Sequence, residues 1–206
     1  MKTLLITGGT GGLGHAVVAR LARDYRCIVL YRSAASWERL QKTVPAAAGI
    51  ASLDELPRFA PVYGLVHLAG GFDSGSSPDQ FRAMFETNVL SAVSAFAAVQ
   101  PHLSDKGRIV AITSAATATH PSGLGAYTAS KAALNAFVST LAHELADRGI
   151  TANALLPTAL ATPAMRGNAP ADQLVPLERV AEWIAFLLSD SGAGVSGQLI
   201  TLSASS

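Results

Sequence analysis

Thr3-Leu4-Leu5-Ile6-Thr7-Gly8-Gly9-Thr10-Gly11-Gly12-Leu13-Gly14 is a short apolar run that breaks into a glycine-dense turn. An unbroken apolar run of this length fits a strand buried on both faces, and the helix-like run 16–23 follows the turn. Strand, glycine turn, helix is the context in which such glycines carry chemistry. They let the backbone approach a pyrophosphate closely, and the helix N-terminus supplies amide donors and the positive end of its dipole. The spacing is Thr-Gly-x-x-x-Gly-x-Gly, with Gly8, Gly12 and Gly14 at the fixed positions and Thr10 and Leu13 between them as further candidate contacts. Glycines also serve loops that only need a positive φ, but the place of this turn behind the first strand favours a dinucleotide site.

Outward from that turn, strands and helices alternate. A second strand, 26–31, ends in Tyr31-Arg32-Ser33. An acidic residue near this point suits the 2′-hydroxyl of NAD, while an arginine accommodates the 2′-phosphate of NADP. From the start of this strand no Asp or Glu occurs until Glu38, so Arg32 points to NADP, with NAD as the alternative. Between 36 and 59 the pattern weakens, to a helix near 37–44, a short third strand at 49–53 and a turn at 54–57. A clear buried strand, 62–68, runs into Ala69-Gly70-Gly71-Phe72, whose small residues suit close contact with a flat ligand. Within that strand His67 reads as a satisfied structural histidine. A Gly/Ser-rich loop, 72–78, leads to a long helix over 79–102 that contains Asn88. Then come a strand at 107–113, a helix at 126–147, a strand at 150–156, a loop at 158–176, a helix at 176–189 and a last strand at 198–202. This alternation predicts an α/β fold: one Rossmann-type, doubly wound domain over residues 1–206, with a mostly parallel sheet of about seven strands. The loop near 158–176 is expected to be a short substrate-loop insertion.

Composition narrows the function classes. Half of the residues are apolar, 14% are charged and the formal net charge is +1, so no strong field would recruit nucleic acid or an anionic membrane. The single Cys27 sits in an apolar run and reads as a buried structural thiol. No basic leader precedes Lys2 and no apolar run approaches the ~20 residues of a membrane span. A soluble, cytoplasmic protein without a metal site is expected.

The chemistry concentrates in Ser114–Lys131. Tyr127 and Lys131 lie four apart at the start of the 126–147 helix, which puts them on one face, one turn apart. A free tyrosine is a poor acid at neutral pH, and a nearby ammonium is expected to lower its pKa. Ser114 ends the preceding strand, where its hydroxyl can hold the same substrate oxygen. Such a pair arises by chance in many helices, so its weight comes from the rest of the chain.

With Thr7-Gly8-x-x-x-Gly12-x-Gly14 and Tyr127-x-x-x-Lys131 both in place, the chain resembles the classical short-chain dehydrogenase/reductases from Lys2 to about Leu202. Ser114, thirteen residues before Tyr127, is similar to the family's serine, and Asn88 in Thr87-Asn88-Val89 to its helix asparagine. Asn153-Ala154-Leu155-Leu156-Pro157 is similar to the strand before the nicotinamide, with Thr162 where a threonine holds the carboxamide. The resemblance implies Tyr127 as general acid for reduction and base for oxidation, with Ser114 on the carbonyl oxygen. Lys131 would lie on the nicotinamide ribose and Asn88 would anchor a water relay to it. Ala69, Gly70 and Pro157 join the cofactor contacts. It also implies a homodimer or homotetramer through helices 79–102 and 126–147, which agrees with the apolar wrapping of the latter.

The chain departs from the family at several points. His67-Leu68-Ala69-Gly70 stands for Asn-Asn-Ala-Gly, Thr158 stands for a glycine, the usual acidic residue after the third strand has no match, and the glycine turn has no basic residue. Gly70-Gly71-Phe72 resembles the dihydropteridine reductase branch, which tends to lack the serine. Two readings of different class follow: an NAD(P)-dependent oxidoreductase acting on a carbonyl or secondary alcohol, and a dinucleotide-binding sensor without chemistry. Ser114 favours the enzyme, because a pure binder has no use for it at that spacing.

Overall fold

The computed structural model describes residues 1–167 and 169–204; Asn168, inside the predicted 158–176 loop, and Ser205 and Ser206 lie outside the described residues. The elements are β1 (Thr3–Thr7), α1 (Gly14–Leu21), β2 (Arg26–Leu30), α2 (Ala34–Thr43), β3 (Ala48–Ile50), β4 (Val62–His67), α3 (Pro78–Phe85), α4 (Ser91–Val99), β5 (Leu103–Ile112), α5 (Ala116–Thr119), α6 (Gly125–Glu144), β6 (Thr151–Pro157), α7 (Leu177–Leu188) and β7 (Leu199–Leu202). The strands form one parallel sheet in the order β3-β2-β1-β4-β5-β6-β7, the doubly wound architecture expected from the alternation.

Strand alternation builds a core on each face. All of β1 is buried, yet its neighbours in sequence go to opposite sides. Leu4 and Ile6 pack with Val17, Leu21, Val180 and Ile184 of α1 and α7. Leu5 packs with Ala95, Val99, Leu134 and Val138 of α4 and α6. The chain reverses direction across the sheet between β1 and β4, and a crevice opens there at the carboxyl ends of the strands, where open α/β sheets bind ligands.

Four differences from the sequence expectations have local causes. The third strand stops at Ile50 rather than 53, because Ser52 and Glu55 close a capping box on the 3-10 turn Leu53–Phe59. The fifth strand starts at Leu103 rather than 107; a register shift between Val62 and Gly64 of β4 lets Leu103 pair ahead of the regular ladder. A short helix, α5, occupies part of the segment read as loop after Ser114. The helix expected over 79–102 starts one residue earlier, behind a Ser77–Gln80 capping box, and is not continuous. Glu86–Leu90 is a π-helical turn with Asn88 in it, and Gln100–His102 closes the segment as a 3-10 turn. Among the described residues no helix is long and apolar enough to cross a membrane.

Leu5 is fully buried in the sheet centre. Leu5→Ala is expected to lower unfolding stability by roughly 2–5 kcal/mol in a urea titration, the cost of a leucine-sized core vacancy. A loss within 0.5 kcal/mol, the range of surface changes, would contradict this packing.

Candidate active site

The glycine turn is shaped by the strand beside it. Gly8 has φ +70, and a Cβ there would lie 2.5 Å from the amide nitrogen of Ala69 at the end of β4. Only glycine lets the β1 and β4 ends come this close. Behind the turn, α1 begins without a side-chain cap; the His15 amide turns back to the Gly11 carbonyl at 3.4 Å, and no side chain competes for the helix N-terminus. A cleft of about 590 Å³ lies over this edge, lined by Gly8, Thr10, Gly12, Leu13, Gly14, Ala69 and Gly70, with Arg32, Ser33 and Ser36 at the end of β2. These features fit a dinucleotide: a bare backbone cradle, a helix N-terminus without a side-chain cap, and a guanidinium flanked by hydroxyls where an acidic residue would repel a phosphate. Glu86 also lines the cleft.

His67, the family departure, lies in the floor of this cleft. It is 1% exposed, and Nδ1 lies 2.8 Å from the Thr7 hydroxyl, with Ser91 Oγ 3.5 Å from Nε2. A neutral imidazole, one nitrogen donating and one accepting, matches such neighbours. Burial pushes its pKa down to about 4, with the Lys131 charge adding to the effect and a hydrogen bond with the Ala69 backbone opposing it. It is the satisfied structural histidine expected from the sequence.

A second cleft of about 590 Å³ adjoins the first along Leu13, Leu68 and Gly70. Ser114, Tyr127 and Lys131 converge there, together with Pro157 and Thr162. Ser114 lies two residues past the end of β5, and its Oγ accepts a 3.2 Å hydrogen bond from the Ala116 amide at the start of α5, which holds the hydroxyl in place. Tyr127 and Lys131 sit in the first two turns of α6. The Lys131 ammonium is 5% exposed and donates to the Ile112 carbonyl at 3.2 Å; burial lowers its pKa to about 8.

The lowering of the Tyr127 pKa expected from Lys131 is outweighed here by burial. Burial pushes the phenol's pKa above its usual 10, and only the hydrogen bond with the Ser114 hydroxyl opposes that shift. The phenol is enclosed among apolar walls, while the ammonium is turned toward the Ile112 carbonyl.

Asn88 lines neither cleft. It is fully buried behind them, and the π-helical turn aims its amide at the loop after β4. Its Oδ1 accepts from the Gly71 amide at 2.8 Å, and its Nδ2 donates to the Gly71 carbonyl at 3.2 Å and to Ser130 Oγ at 3.0 Å. Asn88 therefore ties the loop after β4 to α6. A Cβ on Gly70 would lie 2.8 Å from Asn88 Oδ1 and 3.0 Å from Lys131 Nζ, so both groups reach the same bare glycine.

The apolar part of the second cleft is Leu68, Phe72, Leu124, Leu160 and Met165. The last four lie in the loops 72–78, 115–124 and 158–176 that the sequence places at the substrate cleft, without naming the individual side chains, and Leu68 was missed. Phe72 sets its ring against Tyr127 at 5.0 Å between centroids, edge to face. A large aromatic in a Gly/Ser-rich loop, with no strand or helix to bury it, was the available signal. Ser33 and Ser36 were also missed.

Known proteins resemble this chain along nearly its whole length. The family model for short chain dehydrogenase matches residues 2–173. An NADPH-dependent aldehyde reductase-like protein of Arabidopsis thaliana is 31% identical, covering 97% of this chain and 92% of its own. A 3-oxoacyl-[acyl-carrier-protein] reductase of Salmonella typhimurium is 30% identical, at 97% and 94% coverage. Among solved structures, a short chain dehydrogenase from Burkholderia cenocepacia in complex with NADP superposes with a TM-score of 0.88 at 29% identity, covering 99% of this chain and 97% of that one.

The buried His67 gives the fold a pH dependence. Its folded pKa of about 4 lies below the unfolded value near 6.5, so between these limits only the unfolded chain takes up the proton. The stability it contributes is complete above pH 6.5 and is lost as pH falls toward 4, by on the order of 3 kcal/mol. Urea titrations of wild type and His67→Asn across this window are expected to diverge, the variant showing the shallower loss; parallel curves would remove His67 from the account.

Proposed function

The chain belongs to the short-chain dehydrogenase family, and from that premise we propose that it is an NAD(P)-dependent oxidoreductase that interconverts a carbonyl compound and its alcohol, with Tyr127 as general acid and base. One observation carries the reading. Ser114, Tyr127 and Lys131 converge in a cleft that adjoins the glycine-lined one, so a carbonyl held by the first two lies beside the end of a ligand cradled by the other.

The glycine turn (Gly8, Thr10, Gly12, Leu13, Gly14) with Ala69 and Gly70 would hold the dinucleotide's pyrophosphate and near ribose, and Pro157, Thr162, Tyr127 and Lys131 its nicotinamide end. Arg32, with Ser33 and Ser36 beside it, favours NADP through a charge-assisted fork on the 2′-phosphate. When bound, the dinucleotide supplies or accepts the hydride. The remaining work is done by the chain. The Ser114 hydroxyl holds the substrate oxygen, and Tyr127 delivers a proton to it. Burial keeps the phenol protonated in the neutral range and also makes it a weak acid, so proton transfer depends on groups that favour the phenolate as it forms. Lys131 places an ammonium one turn away, favouring charge that develops on the phenol oxygen. Asn88 acts by holding the Gly70–Gly71 backbone against α6, from where a water can link it to Lys131.

The 158–176 segment forms part of the substrate rim through Leu160, Thr162 and Met165. Leu90 and Val93 of the 78–102 segment and Ala132 and Ala136 of α6 are exposed, Leu90 also lining the first cleft, and these small or apolar residues suit the pairing of two copies through the two helices that the sequence leads one to expect.

Oxidation of NADPH and NADH against a panel of ketones and aldehydes tests the reading. Tyr127→Phe is expected to lower kcat by about 10²–10⁴-fold, the range of a lost general acid, with coenzyme binding kept. Arg32→Ala is expected to raise KM for NADPH about tenfold, the equivalent of roughly 1.4 kcal/mol, and to leave NADH nearly unchanged. Coenzyme binding by wild type and Tyr127→Phe alike, with no turnover by either, would favour the sensor.

A pH profile adds a second check. The Lys131 charge is present below its pKa of about 8 and lost above it. Reductive kcat/KM is therefore expected to fall as pH rises through about 8, and that limb should be absent in Lys131→Met, whose activity is low throughout.

A further inference from the structure

We infer that Phe72 is the specificity-determining residue of the second cleft and that the substrate is an uncharged carbonyl compound bearing a flat, apolar, aryl-like substituent. This rests on the reductase reading above and extends it to a substrate class.

The first observation is Phe72 itself. It is 66% exposed, far beyond what a phenylalanine gains from packing, yet its ring is not adrift. It stands against the Tyr127 ring at 5.0 Å and 66° between planes, an edge-to-face contact. The loop that presents it is anchored on both sides. Asn88 clamps the Gly71 backbone just before it, through both its amide oxygen and nitrogen. Just after it, the Gly75 amide donates to the Gly123 carbonyl at 2.6 Å, and the Ala126 amide donates to the Gly75 carbonyl at 3.2 Å. An apolar ring held in place at the mouth of a cleft, touching the general acid, is a preformed surface for another flat group.

The second observation is the character of the walls. Apart from Lys131, whose charge is engaged below the reacting groups, no charged side chain lines the cleft among the described residues. Leu68, Leu124, Leu160, Met165 and Pro121 supply much of the rest. A carboxylate or phosphate on the substrate would lose its water without gaining a counter-ion, which is costly. A neutral, apolar substituent loses nothing on entry and gains buried area. A flat one also gains the offset or edge contact that a second ring makes with Phe72.

The test uses the full chain with saturating NADPH. Wild type is expected to reduce acetophenone-type aryl ketones with at least tenfold higher kcat/KM than 2-butanone or pyruvate. Phe72→Ala should raise KM for the aryl ketone about tenfold while kcat stays within threefold, a loss in kcat/KM several-fold larger than that on 2-butanone; Phe72→Trp should restore the aryl preference. Calorimetric binding of 1-phenylethanol gives a readout that needs no turnover: wild type and Tyr127→Phe should bind it, and Phe72→Ala about tenfold more weakly. Equal loss on both ketones in Phe72→Ala, a wild-type preference for pyruvate, or aryl-alcohol binding indifferent to Phe72 overturns the inference. Failure of every carbonyl to turn over, with Phe72-dependent aryl binding intact, would instead count against the reductase reading and leave the aryl site standing.

Discussion

A charged ammonium held out of water is the constraint around which this molecule is arranged. Lys131 is almost wholly buried, has no carboxylate partner among the described residues and leans on one carbonyl, that of Ile112. Lowering its pKa to about 8 corresponds to on the order of 3 kcal/mol against the charged form. That cost is a large fraction of a typical domain's net stability, and it is concentrated where the clefts meet. The neighbours are organised around it. Gly70 stays bare because a Cβ would press on Lys131 Nζ and Asn88 Oδ1 together. Asn88 reaches that glycine because its helix opens into a π turn, an irregularity that often marks a functional position.

The same charge explains why a histidine is tolerated in the floor of the adjoining cleft. His67 and Lys131 repel each other when both are protonated, and burial penalises each separately. The result is a division of labour: the imidazole stays neutral between hydroxyls at physiological pH, and the ammonium carries the positive charge. A buried pair of cations would be untenable. One cation and one neutral base make a stable floor.

The two clefts divide the site by polarity. One offers backbone amides, hydroxyls and a guanidinium, the groups that phosphates bind; the other is mostly apolar around Ser114, Tyr127 and Lys131. The parallel sheet produces this division. Its strands all end at one edge, so the turn after β1, the loop after β4, Ser114 after β5 and Pro157 at the end of β6 stand side by side. Residues more than a hundred positions apart in sequence then face one another across a few ångströms, as Gly12 and Thr162 do.

Much of this was legible from the residues alone, because local rules decided it. Apolar runs with glycine after the first made the strands and the first turn recognisable. A four-residue spacing put Tyr127 and Lys131 on one helix face, and the serine spacing named Ser114. What could not be read depended on what packs against what. The sign of the Tyr127 shift reflects enclosure by walls drawn from several separate segments, not the spacing to Lys131. Asn88 was expected inside a regular helix; the π turn there goes with tertiary hydrogen bonds to Gly71 and Ser130, which lie far away in sequence. Phe72 looked like part of an unstructured loop until the fold set it against Tyr127. Periodicity and spacing are properties of the chain, so the sequence alone determined most of the elements and the family, and singled out the residues proposed to react. Burial and electrostatic environment are sums over distant segments, and only the assembled tertiary structure decided those.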